Sequence, residues 1–164
     1  MLEAAKDRVF VGPAIGLLHA AVHEAQPGTI HPGVRRGFDL GLEAAGRTYR
    51  AMNKRGIRVV IGGDYGFART PQGQNARDIE HFVNHLGYSP TEALICATRY
   101  GAELMGLGDE AGLVREGFLA DLLLVDGDPV ANVRVLQDRN RIIGIWKGGT
   151  AHKLDRMALD SLLS

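Results

Sequence analysis

The sequence contains little cysteine, no net charge and no long apolar run. Its single cysteine, Cys96, excludes an intrachain disulfide and a cysteine-rich zinc site, which favours a reducing compartment. Lys and Arg number 19, as do Asp and Glu, so no long-range field attracts nucleic acid or anionic lipid. No segment approaches the roughly 18 apolar residues of a membrane helix, and the mixed charges of residues 1–8 do not resemble a signal peptide. We therefore expect a cytoplasmic protein with neither a nucleic-acid nor a membrane partner.

The composition is that of a folded protein. The chain has 164 residues, of which 45% are hydrophobic and 23% charged, enough for one domain with a real hydrophobic core. Its 22 glycines are about twice the usual share of roughly 7%. This excess predicts many tight turns and close approaches of the backbone.

Apolar periodicity predicts an α/β region followed by an all-β end. Short β-branched runs at residues 8–11 and 57–61 are typical of parallel strands. Apolar residues spaced three and four apart, together with capping signals, predict helices at residues 14–25, 38–55, 75–86 and 89–104. The last of these helices begins with a capping box at residues 89–92. The predicted all-β end contains a turn at residues 115–118 and a strand at residues 121–125. It also contains a hairpin, whose strands at residues 141–147 and 150–153 are joined by a turn at Gly148-Gly149.

The two predicted parallel strands cannot form a covered sheet alone, because a parallel sheet needs strands at its edges and helices on its faces. Either other copies of the chain supply further strands, or the chain is the C-terminal part of a larger parallel barrel or sheet.

Asp64 is the first candidate for chemistry. It follows the strand at residues 57–61 and two glycines, where α/β folds place catalytic groups. The alternative is that Asp64 only caps a turn.

Histidines supply the other candidates. His19 and His23, like His81 and His85, are four residues apart and could reach a metal from one helix face. Neither pair is an HExxH motif, and a partly wet helix face is the favoured explanation of His81 and His85. His31 lies in a Pro/Gly loop that could face a cleft. Cys96 is predicted to be a small core residue, and no phosphate-binding glycine loop is present.

Three motifs in order resemble the C-terminal portion of a metal-dependent amidohydrolase, in the imidazolonepropionase-like and Xaa-Pro dipeptidase-like branch. They are residues 55–64 (RGIRVVIGGD), 88–98 (YSPTEALICAT) and 117–129 (GFLADLLLVDGDP). The likeness extends from about Val9 to Lys153.

The resemblance implies an α/β fold: the last units of a (β/α)₈ TIM barrel, followed by a small C-terminal β-sandwich segment. It implies that Asp64 is both a metal ligand and the catalytic group that accepts the proton of the attacking water. The family usually has Gly-Thr-Asp here, so Gly63 departs from the pattern. The implied cofactor is a divalent metal, with zinc expected. The full-length family binds one or two ions, and this chain alone as few as none.

The family's remaining ligands come from earlier strands and are not found here, since the sequence contains no HxH pair. The run from Gly62 to Phe67 and the segment 75–80 are also similar to branch members that cleave carbamate- or urea-like amides. We expect Tyr65, Phe67, Asn75 and His31 to contact substrate at the barrel mouth.

The expected boundaries are 1–111 for the last barrel units, 112–153 for the β-domain segment and 154–164 for a tail. The expected function is hydrolysis of a C–N bond in a small amide, cyclic amide, carbamate, urea or peptide, by a chain that self-associates or lacks its N-terminal barrel half. One alternative is a catalytically incomplete remnant that acts as an oligomerising or binding module. Another is an autonomous hydrolase with a new metal site of His19, His23, His31 and Asp64.

Overall fold

The computed structural model describes residues 2–163 and divides into two compact units, Met1–Ala97 and Thr98–Ser164. The boundaries predicted at residues 111 and 153 remain predictions. Among the described residues, no helix is both long and apolar enough to cross a membrane.

The first unit is mainly helical. It begins with a 3₁₀ turn at Glu3–Ala5, and its helices are α1 (Ile15–His19, continued as a π-helix over Ala20–Glu24), α2 (Pro32–Lys54), α3 (Arg77–Asn84) and α4 (Pro90–Ala97). Helix α1 packs against α2 and α3, and α3 packs against α4. The buried centre includes Ile15, Val59, Phe82 and Leu86.

Local chemistry fixes the helix ends. Pro32 occupies the first turn of α2, and Gly56 adopts a φ of +67° just beyond its end, a conformation that favours glycine. Ser89 and Glu92 form the predicted capping box before α4, with Ser89 N donating to Glu92 Oε2 at 2.7 Å and Glu92 N donating to Ser89 Oγ at 3.3 Å. Glu92 also accepts a hydrogen bond from Asn53 at 2.8 Å, which joins α4 to α2.

The predicted lengths of the two parallel strands were wrong, because the paired region is much shorter than expected. They meet only in one parallel bridge between Val11 and Val59, with Val11 N donating to Arg58 O at 3.0 Å and Val60 N donating to Val11 O at 2.9 Å. A pair of parallel strands is stabilised by further strands beside it, and without them its ladder of hydrogen bonds stays short. The direction and the burial are as predicted, since Val59 is completely buried.

The second unit contains the β-rich end. After α5 (Arg99–Leu104), strands β1 (Leu122–Val125), β2 (Ile142–Lys147) and β3 (Thr150–Leu154) form one antiparallel sheet in the order β1-β2-β3. A 3₁₀ turn (Val133–Gln137) precedes β2, and α6 (Arg156–Leu163) lies in the predicted tail. The described residues form this single sheet, so the second layer of a sandwich remains a prediction.

The predicted hairpin and the predicted helix at residues 89–104 had different outcomes. Gly148 and Gly149 have φ values of 54° and 79°, which suit the tight turn between β2 and β3. The helix is interrupted at Thr98, whose φ of −107° and ψ of −78° separate α4 from α5.

Candidate functional site

Asp64 lies at the wall of a surface cleft. Its segment leaves the buried Val59 and Val60, and the Asp64 side chain is exposed. The cleft has a volume of about 500 Å³ and is lined by Leu17, Asp64, Phe67, Ala68 and Arg69. A carboxylate beside apolar and cationic groups can bind a polar substrate and accept a proton.

The turn after Asp64 is held by its own hydrogen bonds. Thr70 Oγ1 donates to the Asp64 carbonyl at 2.7 Å, and Gly66 N donates to the Thr70 carbonyl at 2.8 Å. Phe67 and Thr70 form an antiparallel bridge, which leaves the Phe67 side chain 56% exposed. The cleft wall is therefore a tight turn with an apolar surface that could contact a ligand.

The Tyr65 side chain forms a hydrogen bond within the first unit. Its hydroxyl donates to Asp78 Oδ1 at 2.9 Å, and burial together with this bond raises the pKa of Tyr65. Because the hydroxyl is engaged by Asp78, a substrate contact by Tyr65 would have to use the ring. The assignment of Tyr65 to substrate remains a prediction.

Asp78 is a buried carboxyl group that the sequence identified only as a helix-start signal. It is 1% exposed, its Oδ2 has no hydrogen-bond partner among the described residues, and burial raises its pKa. The space for it comes from Gly16 and Gly63, because a Cβ atom at Gly63 would lie 2.6 Å from Asp78 Oδ2. No local sequence signal could have predicted this, since the three positions are distant in sequence.

Neither His31 nor Asn75 is among the residues that line the cleft of Asp64. His31 caps α2, where its Nδ1 accepts a hydrogen bond from Gly33 N at 3.2 Å, and it lines a separate surface cleft with Pro27 and Arg35. Asn75 is exposed just before α3. Their predicted contacts with substrate remain predictions.

The two histidine pairs converge into one cluster. His19 Nδ1 and His85 Nε2 are 2.8 Å apart, and the His19 and His81 ring centroids are separated by 4.3 Å. Candidate ligand atoms of His19, His23 and His85 all lie within 4.8 Å of one another, so this group could bind a metal ion. The sequence indicated each pair but not that the two pairs meet.

Burial lowers the pKa values of three of the four clustered imidazoles, His19, His81 and His85, which favours their neutral form. Burial, and then the neighbouring His19 and Arg77, lower the pKa of His81 to about 4. Burial is also the main cause that lowers the pKa values of His19 and His85. A neutral imidazole is the form that can donate a lone pair to a metal.

The ligand set expected around Asp64 is not complete in this chain. Among residues 2–163, the group of three or more candidate ligands is His19, His23 and His85, and neither Asp64 nor His31 belongs to it. A divalent ion needs several ligands around it, whereas Asp64 supplies a single carboxylate. The described residues therefore do not fit a family metal at Asp64 without ligands from elsewhere.

Comparison with known proteins identifies the family. The profile of the Amidohydrolase family matches residues 45–151, more than half of the sequence, and the chain belongs to this family. It is 28% identical over 110 residues to the ochratoxinase of Aspergillus niger, an alignment that covers 65% of this chain and 22% of that protein.

Solved structures support the same fold. The crystal structure of A. niger ochratoxinase superposes with a TM-score of 0.79 and 21% identity, over 94% of this chain and 35% of that one. A putative prolidase from Bifidobacterium longum superposes with a TM-score of 0.77 and 24% identity, over 94% of this chain and 38% of that one. The chain thus has the fold of part of an amidohydrolase and spans well under half the length of these relatives.

Proposed function

We propose that this chain is the Asp64-bearing part of a metal-dependent hydrolase that cleaves a C–N bond in a small amide-type substrate. The observation that carries the proposal is the place of Asp64, which follows a buried parallel segment and lines a cleft in a chain of the amidohydrolase family. Parallel α/β folds use this end of their strands for catalysis.

Asp64 acts in this proposal as the proton carrier. Its exposed carboxylate accepts a proton from the attacking water and delivers it to the departing nitrogen. The resident divalent ion, bound with ligands from outside this chain, would lower the pKa of that water. The apolar face of Phe67 and the guanidinium of Arg69 in the same cleft suit an acyl or carboxylate-bearing substrate.

The missing ligands imply a partner segment. We propose that an N-terminal barrel half or a second copy of the chain completes the site, because this chain spans 35% of ochratoxinase and 38% of the prolidase-like structure. Light scattering of the purified chain separates these cases. A concentration-dependent oligomer supports self-association, and a stable monomer supports a missing barrel half.

The experiment that tests the activity uses the protein expressed from the complete open reading frame. Release of free amine is measured with N-acyl amino acids, dipeptides, cyclic amides, carbamates and ureas. We expect hydrolysis of at least one class, loss of activity after chelation, and recovery with Zn²⁺. Failure of the metal-loaded protein on every class would contradict the proposal.

A further inference from the structure

Four of the six histidines meet at one place, on elements separated in sequence. His19 lies at the end of α1 and His23 in the π-helix that follows, whereas His81 and His85 lie on and just beyond α3. The packing of α1 against α3 brings the pairs together. Short π-helical segments are rare and often occur at functional sites.

The geometry of three of these rings suits one small cation. A tetrahedral zinc ion with Zn–N bonds of 2.0–2.1 Å separates its nitrogens by about 3.3 Å. His19 Nδ1 and His85 Nε2 are now 2.8 Å apart and would separate by about half an ångström to admit the ion. The three candidate ligand atoms lie within 4.8 Å of one another, so the widest pair would close by up to about 1.5 Å. The third ring, His23, is exposed and closes the group from the solvent side.

The groups around the three rings resemble the outer shell of a metal site. Glu24 Oε1 lies 3.3 Å from His19 Nε2, the nitrogen that would not bind the ion, and Arg77 holds the same carboxylate. Carboxylates placed in this way fix the tautomer and orientation of a ligating imidazole. His81 is buried against the His19 ring and limits its movement.

We propose that His19, His23 and His85 form a binding site for a divalent cation of the zinc type, separate from Asp64, in which Glu24 orients His19. Imidazole ligands favour Zn²⁺, Ni²⁺ and Cu²⁺ over Mg²⁺ and Ca²⁺. Three protein ligands leave a fourth position for water. The site is distinct from the one that carries the proposed hydrolysis and does not depend on it.

The test is titration of the chelator-treated 164-residue chain with Co²⁺, whose visible absorption reports tetrahedral coordination, followed by competition with Zn²⁺. We expect one equivalent to bind and Mg²⁺ not to compete. The His19→Gln and His85→Gln variants should each weaken binding about tenfold or more, and Glu24→Gln should weaken it by about 10–100-fold.

Two control variants separate this site from others. His152→Gln changes an exposed histidine outside the cluster, and Asp64→Asn changes the candidate catalytic carboxylate. Both should bind Co²⁺ like the wild type. Loss of binding in Asp64→Asn with retention in the cluster variants would overturn the proposal, as would no binding of one equivalent by the wild type.

A folding readout accompanies each titration. Zn²⁺ should raise the Tm of the wild type but not that of His85→Gln, because an ion that binds only the folded state stabilises it. If His85→Gln does not fold, His23→Gln replaces it, since the exposed His23 ring contributes little to the core. An unchanged affinity in a folded His23→Gln would contradict the three-ligand site.

Discussion

Gly63 is predicted to be intolerant of any side chain. A Cβ atom built there would lie 2.1 Å from Tyr65 Cε2, 2.8 Å from Tyr65 Cδ2 and 2.6 Å from Asp78 Oδ2. These distances are well below van der Waals contact, so the Tyr65 ring would have to move. This accounts for the glycine at the position where the family usually has threonine.

The cost of a substitution has two parts. Overpacking of a filled site costs about 1–3 kcal/mol. Movement of the Tyr65 ring would also break its hydrogen bond to Asp78 and leave a buried carboxyl group without a partner, which costs about 1–3 kcal/mol. We expect Gly63→Ala to lower the free energy of unfolding by about 2–6 kcal/mol, and Gly63→Thr to lower it further.

Urea denaturation followed by circular dichroism measures this effect, with Gly62→Ala as the matched control. No atom of the described part of the chain lies within 4 Å of the ideal Cβ position at Gly62, so its substitution should change stability by no more than about 0.5 kcal/mol. Both variants remove the same backbone freedom from the unfolded chain, and the comparison cancels that effect. Equal stability of the two variants would refute the packing argument.

Three further predictions concern a cap, a thiol and a histidine. Ser89→Ala should lower the free energy of unfolding by about 0.5–2 kcal/mol through loss of the capping box, whereas the exposed Thr91→Ala should cost less; equal urea midpoints would contradict this. Cys96 is buried and its pKa is raised to about 12, so a thiol reagent at pH 8 should label it only in concentrated urea, and rapid labelling of the folded protein would be inconsistent with that burial. Because the pKa of His81 is lowered from 6.5 to about 4 by folding, the unfolded chain binds more protons between these pH values, and the metal-free protein should lose stability as the pH falls through this range. His81 contributes at most about 1.4 kcal/mol per pH unit to the slope of the free energy of unfolding against pH. The free energy of unfolding of His81→Gln should therefore depend less on pH than that of the wild type, and identical pH dependences would refute the lowered pKa of His81.

Features that depend on near neighbours in sequence were predicted well. The capping box at Ser89, the end of α2 at Gly56 and the turn at Gly148-Gly149 each follow from the conformational preferences of a few adjacent residues. Amphipathic spacing likewise predicted α2. The profile match confirmed the family that the three motifs indicated.

Features that depend on packing between distant segments were not predicted. His19 and His85 are 66 positions apart, and only the contact of α1 with α3 makes them one cluster. Asp78 became a buried carboxyl because glycines elsewhere in the chain leave room for it. The single bridge at Val11 is shorter than its β-branched sequence suggests, because ladder length depends on neighbouring strands.

The turnover of Asp64→Asn tests the central claim most directly. In the protein expressed from the complete open reading frame, kcat for amide hydrolysis should fall by about 10²–10⁴-fold, because asparagine cannot accept the proton of the attacking water. Asp39→Asn, which changes an exposed carboxylate on α2, should retain the wild-type kcat. Near-normal turnover by Asp64→Asn would contradict the account.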